Sequence, residues 1–442
     1  MTKKYEKFFI KATEENIEAL ELTIRKSGNF SFSFFNNEID SYKISDSFKI
    51  SARGIYNGKM GTAESEKSDK NTADYIISRI KENALLLDSE DEPFIYEGSK
   101  SYKKKNVFNK KLADASAQDK LQIIKSLDAA IKNSSDLIEN VVTHYMETAE
   151  DYTILNSYGL KLTAKTNYAL VYSSATANDE TKETKSGFSY RFITGLDNLD
   201  KEKYVEEVVE KTISQFGSAP CATGKYKCVL SPSATASLLE ALLSNISAEQ
   251  VQKKSSLLAD RLEQKICSGK VTVMELPLKK NPFFRYFDDE GVATYNKLLI
   301  KNGVLQTYIY NLQTAHKDNV ESTGNGYKAG GKMDIRLVNV TMKPGKSDKQ
   351  QLFKKAEKGI YIDDMSGVHA GIHPESGNFS LIASGFMIED GKKGQPVSLI
   401  TVAGNIFDVF NDVIAVGSDA ELQFNGYEVP SILIKEIAVS GK

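Results

Sequence analysis

The stretch "SLIASGFMIEDGKKGQPVSLITVAGN", residues 380–405, decides the fold class of this chain. Two apolar, β-branched runs flank Asp390-Gly391, a dipeptide suited to the left-handed turn that closes a two-residue hairpin. "KLLIKNGVLQTYIYN" (297–311) repeats the pattern at Asn302-Gly303, and "LQFNGYEVPSILIKEIAVSG" (422–441) offers another turn at Asn425-Gly426. Three such turns between apolar runs predict a large, mostly antiparallel, barrel-like sheet. Upstream of it, "KYKCVLS" reads as a strand and "SATASLLEALLSNIS" as a helix.

The first half alternates helical and strand signals. "EENIEALELTIRKS" (14–27) places Ile17, Leu20, Leu22 and Ile24 at spacings that predict an amphipathic helix. A long strand-like region follows, "NFSFSFFNNEIDSYKISDSFKISARGIYNGKMGTAESE", with a hairpin turn at Asn57-Gly58. Helices are predicted over 71–87, over 116–135 with Ser116 as N-cap three residues before Asp119, and over 201–217. The polar stretch 175–186 reads as an exposed hairpin tip or loop. Turn residues in "SAPCATGKYK" place a domain boundary near 218. The expectation is α+β twice over: a strand–helix meander in 1–217 and a barrel-like, β-rich domain in 218–442.

The 442 residues carry 57 basic and 59 acidic side chains, a net charge of −2, and this balance gives no electrostatic reason to expect nucleic-acid binding. Lysines interspersed with acids, as in "KKYEKFFIKATEE", suggest a solvated face. No run of 18 apolar residues occurs and the first residues lack a signal-peptide core, so the expected compartment is the cytoplasm, with no membrane involvement. Cys221, Cys228 and Cys267 have neither zinc-knuckle spacing nor a histidine nearby, and read as reduced thiols.

Two of the four histidines, His369 and His373, stand four apart in "GVHAGIHPESGNFS" (367–380). On a helix they would share a face, but Gly367, Gly371 and Pro374 argue against a helix there. A hydrolytic zinc site needs three ligands on a rigid support, and H-E-x-x-H and H-E-x-x-x-H are both absent. "ESTGNGYKAGG" lacks the G-K-[ST] ending of a phosphate loop, and no G-x-S-x-G occurs.

Several separated motifs in one order, "VESTGNGYKAGG", "KGIYIDDMSGVHAGIHPESGNFSLIASGFMIEDGK", "VAGNIFDVF" and "PSILIKEIAVSG", resemble the TldD/PmbA family on its PmbA (TldE) side. The resemblance extends over nearly the whole chain and includes "QKKSSLLADRLEQKI" (252–266). It implies a two-part peptidase. A TldD-type subunit carries zinc on an H-E-x-x-x-H helix with a cysteine near its C-terminus, and a PmbA-type subunit pairs with it around a peptide-sized chamber. An older label for the family is modulator of DNA gyrase.

This chain departs from the zinc pattern at both places. After the strand "KCVL" it reads "SPSATASLLEALL", with Ser231-Pro232 where the first His-Glu would stand, and "ELQFNGYEVPS" has no cysteine. The implied reading is therefore a PmbA/TldE-type subunit of a zinc-dependent peptidase acting on unfolded peptides. It would bind no cofactor itself, the zinc being expected in a TldD-type partner. The residues expected to line a peptide surface are Ser322, Thr323, Gly324, Asn325, Gly326, His369 and Gly371. Two alternatives stay open: a stand-alone metallopeptidase using His369 and His373, and a non-catalytic homodimeric peptide-binding protein.

Overall fold

The computed structural model describes residues 3–86, 92–329 and 332–442; Leu87, the last residue of the helix predicted over 71–87, and Gly330-Gly331 lie outside them. The chain divides into two units. One is formed by residues 1–213 with short returns at 280–282 and 291–293, the other by 214–279, 283–290 and 294–442. The fold is mixed α and β, as the sequence implies.

The first unit is a six-stranded antiparallel sheet in the order Lys59–Ser65, Glu38–Tyr56, Ala19–Phe35, Ile138–Asn156, Lys161–Asn178, Thr184–Ile193. Register assigns the faces. Leu22 lies opposite Ala52 and Leu155, and Phe32 opposite Tyr42 and Tyr145, so these residues share one side. That side carries the helices. Thr72–Leu86 buries Ile76, Ile77 and Ile80 against Leu20, Leu22, Ile24 and Ile50. Ala117–Lys132 buries Ile124, Leu127 and Ile131 and packs on Ile138–Asn156, and Lys201–Ile213 packs on Thr184–Ile193. Ser116 caps its helix as predicted, accepting from the Asp119 amide at 3.0 Å.

Two local expectations are corrected. The segment 14–27 is not a helix. It ends one, Lys3–Glu14, and from Ala19 begins a 17-residue strand. Leu20, Leu22 and Ile24 are spaced by two, and β-branched Thr23 and Ile24 fit a pleated strand. Helical spacing from Ile17 to Leu20 and Ile24 coincided with that alternation. The charged N-terminus is not merely a solvated face, because its helix buries Tyr5, Phe8 and Ala12. The stretch 175–186 forms a hairpin tip, one of the two forms expected, with its turn at 179–183 closed by the Asp179 carboxylate accepting from the Thr181 and Glu183 amides, each at 2.9 Å.

The second unit contains a closed barrel. Gly359–Ser366, Gly224–Leu230, Ile432–Ser440, Lys392–Asn405 and Asn378–Glu389 are hydrogen-bonded in that order, and Asn378–Glu389 pairs back onto Gly359–Ser366. Asp390 and Gly391 both have positive φ, 50° and 69°, as do Asn302 and Gly303 at 49° and 85°, so these two of the three predicted turns form with both central residues left-handed. A second sheet runs Val304–Leu305, Lys297–Lys301, Val273–Glu275, Val340–Met342, Tyr427–Val429, Glu421–Leu422. The helix Pro232–Ser244 is apolar nearly all round and touches strands of both sheets, as a fully buried helix must. No helix among the described residues is long and apolar enough to cross a membrane.

Candidate functional site

The glycine-rich run 322–329 follows a short helix, Leu312–Asp318, whose N-cap Asn311 and third residue Thr314 form a capping box. Asn319 ends that helix in the left-handed conformation, φ 53°. The chain then returns alongside Tyr310. The Tyr310 amide donates to Thr323 Oγ1 at 2.7 Å, and Thr323 Oγ1 lies 2.7 Å from Asn325 Oδ1. Asn325 is 2 % exposed and its carboxamide is fully engaged. Nδ2 donates to Glu275 Oε1 at 2.8 Å and to the Arg336 carbonyl at 3.0 Å, while Oδ1 accepts from Lys297 Nζ at 3.1 Å.

Behind this run lie four buried carboxylates, Glu275, Asp288, Asp289 and Glu290. Buried charge is costly unless it is paired or hydrogen-bonded; Glu275 and Asp289 each have a cation as well as amide donors, and Asp288 and Glu290 accept from backbone amides. Glu275 takes Lys297 Nζ at 2.6 Å and the Val338 amide at 2.8 Å. Asp288 accepts from the Gly326 amide at 2.8 Å and the Glu290 amide at 2.9 Å. Asp289 pairs with the Arg285 guanidinium and accepts from the Lys328 amide at 2.9 Å. Glu290 accepts from the Leu312 amide at 2.7 Å. Only glycine fits at 326, since a Cβ there would stand 2.5 Å from Glu290 Oε2.

The chemistry of this arrangement is positional. The carboxylates hold backbone amides, so the following hairpin, Gly326–Ala329 paired with Lys332–Ile335, is anchored along its first strand by side chains. These two strands form a sheet of their own, and Lys332–Ile335 pairs with no further strand among the described residues.

The expected surface residues separate accordingly. Thr323, Gly324, Asn325 and Gly326 are buried within the network and Ser322 is half-buried, its hydroxyl 3.2 Å from the Tyr310 carbonyl. His369 and Gly371 lie elsewhere, on a single helical turn, Val368–Gly371, that the glycines were expected to forbid; Gly367 starts it with φ 81°. His373 is already in the next strand, Ile372–His373, paired with Asn378. The two histidines are exposed and on different elements, so they do not share a helix face.

The helix at the expected zinc position carries no histidine or cysteine. Ser231 is its N-cap, accepting from the Ala234 amide at 3.1 Å and donating to the Asp363 carbonyl at 2.7 Å, and Pro232 fills the first turn. Thr235, Ala236, Leu238 and Leu239 follow, all buried. In the last strands, Asn425 bonds to Glu240 at 2.8 Å where a cysteine ligand would be expected. Among the described residues no three His, Cys, Asp or Glu side chains are grouped to hold a metal. The residues present do not fit a zinc ion. Nor do the thiols substitute: burial raises the Cys228 thiol well above its ordinary value and pushes Cys267 up to about 12, so both stay protonated at neutral pH.

Sequence reading missed Arg285, Asp288, Asp289, Glu290, Lys297 and Glu275. A signal was available in "FFRYFDDEG" (283–291), where three acids directly follow an aromatic run. Acids on a solvated face are not expected to be embedded among Phe and Tyr.

Comparison with known proteins gives a consistent assignment across the chain. Family models described as PmbA/TldA metallopeptidase domain 1, central domain and C-terminal domain match residues 20–84, 110–216 and 223–441. The chain is 29 % identical over 316 residues to the metalloprotease PmbA homolog of Buchnera aphidicola from Acyrthosiphon pisum, covering 70 % of this chain and 68 % of that protein. It is 28 % identical over 290 residues to metalloprotease PmbA of Escherichia coli O157:H7, covering 65 % of this chain and 62 % of that protein. The crystal structure of a Thermotoga maritima protein described as a modulator of a DNA gyrase superposes with a TM-score of 0.90 at 28 % identity, covering 99 % of each chain. TldE from Thermococcus kodakarensis shares the fold, with a TM-score of 0.90 at 24 % identity over 99 % of this chain and 100 % of that one.

Proposed function

Because this chain belongs to the PmbA/TldD metallopeptidase family, we propose that it is a PmbA (TldE)-type member, which binds unfolded peptide beside a zinc-bearing TldD-type relative. The observation that carries this reading is the helix Pro232–Ser244. The family resemblance puts the zinc helix at this position, and here the helix offers a serine cap, a proline and mostly apolar side chains, with no histidine. Zinc chemistry, on this reading, belongs to the partner, and this chain contributes peptide binding. The unpaired edge of Lys332–Ile335, held in place through its sister strand by the Asp288 and Asp289 carboxylates, supports that role. A strand edge offers alternating N–H and C=O groups to any extended peptide, which gives affinity without sequence preference. The net charge of −2 gives no support to direct DNA binding.

The test is a peptidase assay on an unfolded peptide with this protein alone, with a TldD-type relative alone, and with both, alongside zinc analysis of each. Cleavage that requires the mixture, with zinc only in the relative, is the expected result. Turnover by this chain alone with stoichiometric zinc, lost together in His369→Ala or His373→Ala, would establish the stand-alone reading instead. Peptide binding with no cleavage in any mixture would establish the purely binding one.

A further inference from the structure

In the first unit, residues 92–109 form neither helix nor strand. The run "GSKSYKKKNVFNKKLA" (98–113) carries six lysines, Lys100, Lys103, Lys104, Lys105, Lys110 and Lys111, and no acid. All six are exposed, and no ammonium group among them has an ion pair or hydrogen bond among the described residues. Lysines elsewhere in the unit stand within reach of acids, as Lys11 does of Glu14, Glu15 and Asp74 and Lys165 does of Asp151. A run of like charge with no counter-charge repels itself and attracts a partner of opposite sign.

Two buried asparagines pin this segment to the sheet. Asn156 Nδ2 donates to the Tyr96 carbonyl at 2.6 Å. The Asn167 carboxamide accepts from the Asn109 amide at 2.7 Å and donates to the Asn109 carbonyl at 2.9 Å. The chain between the pins is longer than their separation requires. Asn167 lies opposite Ala149, seven residues along the strand from Asn156, a span of roughly 23 Å at ~3.3 Å per residue. Thirteen peptide steps join Tyr96 to Asn109 and reach about 45 Å when extended. That slack lets the segment bow outward, and Lys103, Lys104 and Lys105 at its middle stand in solvent. Their backbone N–H and C=O groups, and those of Val107, make no hydrogen bond among the described residues.

We propose that this segment is a docking site for acidic stretches of unfolded polypeptide. The ammonium groups supply the attraction, and the open backbone groups between them pair with the peptide's own N–H and C=O. Nucleic acid fits less well. The run has no arginine for bidentate phosphate contacts, and its two rings, Tyr102 and Phe108, are half-buried and give bases no platform for stacking. None of its large apolar side chains is exposed to anchor in lipid. The pins hold both ends of the segment in advance, which lowers the ordering cost of binding. The proposal rests on the peptide-binding reading and adds to it a charge class and a second place of contact.

The experiment titrates the full chain against three labelled, unstructured probes by fluorescence anisotropy: a glutamate–serine peptide, its glutamine–serine counterpart and a single-stranded oligonucleotide. The glutamate peptide is expected to bind about tenfold more tightly than the glutamine one at low salt, the gap closing as salt screens exposed charges. The triple variant Lys103→Gln/Lys104→Gln/Lys105→Gln should weaken glutamate-peptide binding about tenfold, the combined effect of three exposed charge contacts. It should leave the glutamine peptide and the circular dichroism spectrum unchanged. Lys201→Gln/Lys203→Gln, at exposed lysines interleaved with Glu202, Glu206 and Glu207, should change neither affinity. Equal binding of the two peptides, a triple variant that holds the glutamate peptide as the wild type does, or an oligonucleotide bound more tightly than the peptide would overturn the assignment. A wild type that binds the glutamate peptide but not the glutamine one keeps this site and removes the strand-edge reading instead.

Discussion

Replacing Lys297 by methionine tests whether the buried network holds the glycine-rich run. Lys297 and Glu275 side chains are 5 % and 1 % exposed, and their contact of 2.6 Å is the network's central ion pair. Methionine conserves the aliphatic stem but leaves the carboxylate unpaired in the interior. Breaking a buried pair from one side costs about 3–5 kcal/mol. Two neutral donors remain on Glu275, the Asn325 carboxamide and the Val338 amide, each at 2.8 Å, which favours the lower end. Lys297→Met is therefore expected to destabilise the second unit by about 3 kcal/mol. The double variant Glu275→Gln/Lys297→Met, which leaves no charge behind, should lose less than the single one. The chain has no tryptophan, so urea unfolding followed by circular dichroism suits the global measurement. Hydrogen exchange at the Gly326 and Lys328 amides reads the local one. A loss under about 1 kcal/mol, or a double variant weaker than the single, would refute the reasoning.

Two further outcomes follow from the geometry. Burial alone would raise the Glu207 carboxyl, but Lys211 beside it and hydrogen bonds from Arg191 and Ser189 outweigh that and hold it down at about 2. A folded value below the ordinary one stabilises above the unfolded value near 4.5, and that stability is lost as pH falls from there toward 2. Glu207→Gln should flatten the acid limb of a stability–pH profile in that window, removing up to ~3 kcal/mol before solvent screening is allowed for. Gly385→Ala should destabilise the barrel by on the order of 3 kcal/mol, the top of the overpacking range, because its Cβ would sit 1.8 Å from the Tyr361 carbonyl oxygen, whereas Gly224→Ala on another strand of the same barrel, with 3.7 Å of room, should cost no more than the ordinary glycine-to-alanine change. Thermal or urea unfolding of the pair checks both values.

Local chemistry was legible in the sequence wherever it did not depend on distant residues. Asn57-Gly58, Asn302-Gly303 and Asp390-Gly391 fix their turns because positive φ at both central positions is demanding, and the Ser116 cap forms from atoms three residues apart. That no histidine stands in the helix after "KCVL" is a property of the sequence itself. Periodicity was less decisive at 14–27, where helical and strand spacings overlap.

Tertiary structure alone decided the rest. Closure of the barrel requires Asn378–Glu389 to pair with Gly359–Ser366 as well as with its hairpin mate, and no local pattern specifies a strand's second neighbour. The burial of Glu275, Asp288, Asp289 and Glu290 depends on backbone amides and cations brought from up to 63 residues away, as Val338 is to Glu275. A carboxylate is a surface residue in isolation and an anchor only when folding surrounds it with donors.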